Sequence, residues 1–150
     1  MKRKYFALLL LITLITIIIS DVSNVFAYSA LEESEPNNSF QKANYLRANS
    51  WMKGRITDWD SSDDYYKVDL NDYGKTTVFS LEEIPFGCDF DIYVYDSNYR
   101  LIGSDTSSSR VLNSVSFSSH NSLSPGTYYI KIKRYLGYSE SQYRVSFDVR

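Results

Sequence analysis

A chain of 150 residues with a formal net charge of −2 and 43% hydrophobic residues can bury one sizeable core, but not two. Its 16 Lys and Arg against 18 Asp and Glu leave no basic field, which excludes charge-driven nucleic-acid binding. The single cysteine, Cys88, excludes an internal disulfide, and the single histidine, His120, excludes most histidine-based metal sites.

The first 27 residues read as a secretory signal peptide. Lys2-Arg3-Lys4 is a positive start, Tyr5 to Ile19 is an apolar run, and Val25-Phe26-Ala27 offers the small residues of a cleavage site. The run is shorter than the roughly 20 residues of a bilayer span, and Asp21 closes it. Cleavage after Ala27 is expected. The mature chain would then start at Tyr28, be extracellular and have no membrane contact. No cysteine stands directly after the apolar run, so a lipid anchor is not expected.

Residues 28–150 are expected to form one domain, with a core at about 31–149. Apart from a short helical turn expected at Ser39 to Leu46, the pattern has period two. Tyr66, Val68 and Leu70 share a face, as do Thr77, Phe79 and Leu81, and then Phe90, Ile92 and Val94. Val115 and Phe117 follow, then Tyr128, Ile130 and Ile132, and last Tyr143, Val145, Phe147 and Val149. Turn chemistry separates these runs, at Asn71–Gly74, Asp96–Asn98, Ser124–Gly126 and Leu136–Tyr138. Seven or eight short strands so spaced predict an all-β fold, an antiparallel β-sandwich. Ser104 to Ser109 is expected to be a loop tip.

Two acidic segments carry the chemistry. In Glu33-Ser34-Glu35-Pro36-Asn37-Asn38, an extended backbone points Glu33 and Glu35 to one side, and the asparagines add amide oxygens. The second segment is Asp58-Trp59-Asp60-Ser61-Ser62-Asp63-Asp64. Calcium takes six to eight oxygen ligands, which neither segment supplies alone but both together can. Spacing also fits a solvated arm and a charged loop.

These residues belong to an ordered set of motifs. After Glu33–Asn38 come Gly54-Arg55-Ile56, Asp63-Asp64-Tyr65-Tyr66, the run Asp89 to Asp96, and Ser124-Pro125-Gly126-Thr127-Tyr128-Tyr129-Ile130. The series resembles the bacterial pre-peptidase C-terminal domain, related to the calcium-dependent collagen-binding domains of clostridial collagenases. The resemblance implies a jelly-roll-like sandwich with Ca2+ held between an N-terminal linker and an acidic loop. It assigns Glu33, Glu35, Asn37 and Asn38 to the linker ligands, and Asp60 and Asp63 to the loop ligands. Related sequences often carry Asp at the position of Asn38, and the amide here favours one ion over two.

Catalysis is not expected. His120 lies in a Ser-rich stretch without a nucleophile-elbow pattern, and Cys88 reads as a small half-buried apolar residue. Tyrosine is the compositional outlier, with 14 copies. If Phe90, Ile92 and Val94 face the core, Tyr93 and Tyr95 face outward, and Tyr129 does so by the same alternation. With Tyr135 and Tyr138 in the following loop, they offer a contact surface for a polymer, although strand propensity alone also explains them. In the collagen-binding relatives the strand after the Gly-x-Tyr turn presents aromatics. Here it reads Tyr129-Ile130-Lys131-Ile132-Lys133, with lysines outward, which argues against collagen as the ligand. The expected function is a secreted, calcium-binding, non-catalytic module for an extracellular polymer (protein fibre or polysaccharide) or a secreted partner. The competing reading is an accessory domain that assists export or folding of a separate hydrolase.

Overall fold

The computed structural model describes residues 31–59, 63–118 and 120–150. The expected signal peptide and Asp60 lie outside the described residues. In chain order the strands are β1 (Leu31–Glu32), β2 (Asn44–Tyr45), β3 (Ser50–Gly54), β4 (Asp63–Leu70) and β5 (Thr77–Glu82). They continue with β6 (Asp89–Tyr95), β7 (Leu101–Asp105), β8 (Leu112–Phe117), β9 (Gly126–Leu136) and β10 (Tyr143–Val149). Two five-stranded sheets result, ordered β1-β3-β10-β5-β8 and β2-β4-β9-β6-β7. Every long pairing is antiparallel. The two-residue strands β1 and β2 add in parallel, to β3 and β4 respectively. The sheets are therefore mixed, and the architecture is the expected β-sandwich.

Each period-two run became a strand because alternation buries one face at every second residue. In β4, Asp64, Tyr66, Val68 and Leu70 are buried while Asp63, Tyr65, Lys67 and Asp69 are half-exposed. Ile130 and Ile132 on β9 and Phe90, Ile92 and Val94 on β6 complete the inner layer of the second sheet. Against it pack Phe79 and Leu81 of β5, and Tyr143, Val145 and Phe147 of β10. Each such aliphatic or phenyl side chain contributes about 1.5–3 kcal/mol on burial. Cys88 is buried within this core rather than half-buried, and His120 lies exposed in a turn.

The sequence pattern missed β3 and β7. β3 buries only Met52 and Gly54, and β7 is an edge strand with no fully buried residue, so neither shows a strong apolar alternation. Ser104 and Asp105, expected in a loop tip, end β7. The Asp105 carboxylate accepts hydrogen bonds from the backbone N–H groups of Ser107 and Ser114, which fastens the following loop to β8. The helical turn expected at Ser39 to Leu46 is a single 3-10 turn, Phe40–Lys42, followed by β2.

The N-terminal arm closes one side of the sandwich. It pairs with the edge of the first sheet at β1, crosses the gap, and pairs with the edge of the second at β2. Glu33 N–H donates to Lys53 O at 3.0 Å on one side, and Tyr65 N–H donates to Asn37 O at 2.9 Å on the other. The Asn44 side chain ties the crossing down with two 3.0 Å hydrogen bonds to the Ser34 backbone. Residues 33–37 are thereby held in the seam between the sheets.

Candidate functional site

The seam gathers oxygen atoms. Carboxylate oxygens of Glu33, Glu35 and Asp64 lie within 4.8 Å of one another. Asp64 is fully buried, Glu33 is half-buried and Glu35 is exposed, so the cluster opens from the sandwich interior to the surface. An open cavity of about 510 Å³ at its mouth is lined by Glu32, Glu33, Glu35, Arg55 and Trp59, among others.

Asn37 is fully buried at this point. Its N–H donates to Glu35 Oε2 at 2.8 Å, and its Nδ2 donates to Glu33 Oε2 at 3.0 Å. Its Oδ1 has no hydrogen-bond partner among the described residues. A buried acceptor left so costs about 1–3 kcal/mol.

Two phenols form the floor. Tyr66 Oη donates to Glu33 Oε2 at 2.6 Å, Tyr143 Oη donates to Asp64 Oδ2 at 2.5 Å, and the two phenol oxygens are 2.7 Å apart. Burial first, and then the charges around them, pushes both phenols well above the ordinary tyrosine value, so both keep their protons. Two phenolic protons cannot supply three contacts. Gly54 makes room for the pair: a Cβ there would lie 2.3 Å from Tyr143 Cζ and 2.4 Å from Tyr66 Oη.

The expected ligands divide. Glu33, Glu35 and Asn37 lie together. Asn38 is exposed, one residue beyond. Asp63 is directed away from the seam: its Oδ2 pairs with Lys131 Nζ at 2.8 Å, on the outer side of the second sheet. Burial alone would lower the Lys131 ammonium, but the hydrogen bond and charge of Asp63 outweigh it and raise the value. The acid that joins the cluster is Asp64, which sequence reasoning did not choose. The signal was available, because Asp64 shares strand parity with the core residues Tyr66, Val68 and Leu70.

On the outer face of the second sheet, the expected tyrosines point outward in two groups. Tyr95 and Tyr129, joined by Tyr65 and Tyr99, lie under Phe40 of the 3-10 turn. Ring centroids there are 4.4–5.3 Å apart, with Phe40 stacked on Tyr99 and edge-on to the others. This group is a packed cluster covered by the arm. Tyr93 and Tyr135 belong to the other group, beside Asp89, Asp91 and Lys133, around an open cavity of about 500 Å³. Tyr93 Oη donates to Asp91 Oδ2 at 3.1 Å. Asp91 is only 6% exposed although it points outward, and burial pushes its carboxyl up against the opposing hydrogen bond from Tyr93. Tyr135 and Tyr138 are exposed.

Fold and site together define a two-sheet sandwich module whose N-terminal arm carries acids into the seam between its sheets. Residues 62–134 match the family model of the bacterial pre-peptidase C-terminal domain. The resemblance read from the ordered motifs is thereby shown over that span. Among solved structures, the pre-peptidase C-terminal domain of a collagenase from Bacillus anthracis is similar over 77% of this chain and 99% of that one. Its TM-score is 0.54 at 17% identity, a likeness of fold. No curated protein matches the sequence.

Proposed function

We propose that this protein is a secreted, non-catalytic module, stabilised by Ca2+ in the arm seam, that binds an extracellular polymer or a secreted partner through its outer sheet face. The observation that carries the metal reading is the seam itself. Three carboxylates within 4.8 Å form an all-oxygen cluster, which suits a hard cation, and the buried Asn37 side chain lies against it. Glu33, Glu35, Asn37 and Asp64 would hold the ion, and the phenols of Tyr66 and Tyr143 would orient Glu33 and Asp64 from behind. The ion supplies positive charge that ties the arm to both sheets. Support for an extracellular role comes from the amino-terminal signal pattern. Among the described residues no helix is long and apolar enough to cross a membrane. Support for a binding rather than catalytic role comes from the pre-peptidase match and from the neighbour, which is a domain of a collagenase.

The test is a thermal melt in millimolar calcium and in chelator. A cation at 100 times its dissociation constant adds about 2.7 kcal/mol by mass action. For a domain of this size that raises Tm by several degrees. Superimposed melts would remove calcium from the reading. Co-purification with a soluble hydrolase, without retention on any polymer, would replace polymer binding by the accessory role.

A further inference from the structure

The outer face of the second sheet is closed at one end and open at the other. Phe40 covers Tyr65, Tyr95 and Tyr129, whereas nothing among the described residues fills the cavity of about 500 Å³ beside Asp89, Asp91, Tyr93, Ser108, Lys133 and Tyr135. Strand parity explains the gathering. Asp89, Asp91 and Tyr93 alternate along β6, Asp91 faces Lys133 across the β6–β9 pairing, and Tyr135 sits where that pairing shifts register. Ser108 enters from the loop after β7, and its hydroxyl donates to Asp89 Oδ2 at 3.0 Å.

We infer that this cavity is a binding site for neutral saccharide chains, an assignment that rests on the polymer-binding reading and narrows its ligand class. Four features of the lining select that chemistry. First, among the described residues no aliphatic side chain lines the cavity, so an apolar peptide side chain finds no matching wall there. Second, acceptors and donors alternate: two carboxylates accept, the Lys133 ammonium donates, and Thr106 and Ser108 do either. Vicinal sugar hydroxyls both donate and accept, and match such a mixture. Third, two tyrosines stand at the cavity, Tyr135 being 75% exposed, and a flat ring with a polar tip suits the C–H face of a pyranose. Fourth, two aspartates outnumber one lysine, so uronate and phosphate polymers are repelled. The volume falls within the usual range for small-molecule sites. Asp91 strengthens the case: a carboxylate nine-tenths buried on an outward-facing position is costly to keep, and it is fixed in orientation by Tyr93.

Affinity gel electrophoresis of the full chain tests this, with separate gels holding laminarin, xylan, mannan, glycol chitin, polygalacturonate or gelatin. At least one neutral polysaccharide should retard the protein while polygalacturonate does not. Tyr135→Ala should weaken that retardation about tenfold, or 1.4 kcal/mol, and Lys133→Ala should weaken it less. Neither should alter the melt, because both side chains lie at the surface, and Tyr73→Ala at the opposite end should change nothing. Retardation untouched by both Tyr135→Ala and Asp91→Asn would overturn the site. Retention by gelatin alone would overturn the saccharide class and leave polymer binding standing. Retention in no gel would overturn both.

Discussion

Asp63 and Asp64 are adjacent in sequence and end on opposite sides of one strand. Asp64 points into the seam, where Tyr143 donates to it and the Glu33 and Glu35 carboxylates stand close by. Asp63 points to the outer face and holds Lys131. The two regions handle charge differently. On the outer face, Asp63 finds an ammonium group in Lys131, and Asp91 and Asp89 find hydroxyl donors in Tyr93 and Ser108. In the seam, three acids from two places in the chain, the arm and β4, are held close together with phenols and an amide as donors. Strand parity, not local acidity, decides which aspartate serves which region.

The regions are nevertheless joined. Tyr95, Tyr99 and Tyr129 lie far along the chain from Glu33 and Glu35, yet Phe40 follows Asn37 by one short turn and rests on Tyr65, Tyr95, Tyr99 and Tyr129. The arm that holds Glu33 and Glu35 thus also lids half of the outer face.

The largest expected effect separates the two aspartates. Asp64→Ala should remove the calcium-induced rise of about 2.7 kcal/mol and cost about 1–3 kcal/mol more by leaving the Tyr143 hydroxyl without its acceptor. Melts with and without calcium read both losses. If Asp64→Ala kept the calcium shift, the seam would not be the metal site.

Phe40→Ala should come next, lowering stability by about 1–3 kcal/mol through lost ring packing. Near-UV circular dichroism should change with it, because Tyr65, Tyr95 and Tyr129 lose their lid. An unchanged tyrosine signal would show the two regions to be independent.

The phenols of the seam predict an alkaline limit. Their folded values are raised by burial and neighbouring negative charge, while an unfolded tyrosine ionises near 10. Below about pH 10 both states keep the proton and stability is unaffected. Above it the unfolded chain loses protons first, so stability falls as pH rises towards the folded values. Tyr143→Phe should cost about 1 kcal/mol at pH 7 and make the alkaline fall shallower in a pH series of denaturant melts.

The smallest effect belongs to Asp63→Ala. Losing a partly exposed ion pair should cost no more than about 1 kcal/mol, and the calcium shift should survive. Loss of that shift would return Asp63 to the site and contradict the parity argument.

Much of the fold was legible because a half-buried strand must alternate. Tyr66-Val68-Leu70, Phe90-Ile92-Val94 and Tyr143-Val145-Phe147 announce their inner faces without any knowledge of partners. β3 and β7 were not legible, since edge or weakly buried strands carry little apolar pattern. The acidic segments stood out from their composition, and the ordered motifs tied them to the pre-peptidase type of domain. Tertiary structure alone decided which oxygens meet. The arm crosses from one sheet edge to the other, so Glu33, Asn37 and Asp64 converge only when β1 pairs with β3 and β2 pairs with β4. It also decided which tyrosines stay open, because Phe40 covers Tyr95 and Tyr129 while Tyr135 stays uncovered. Alternation is a local property written residue by residue, whereas convergence and cover depend on distant segments docking, which a linear pattern does not record.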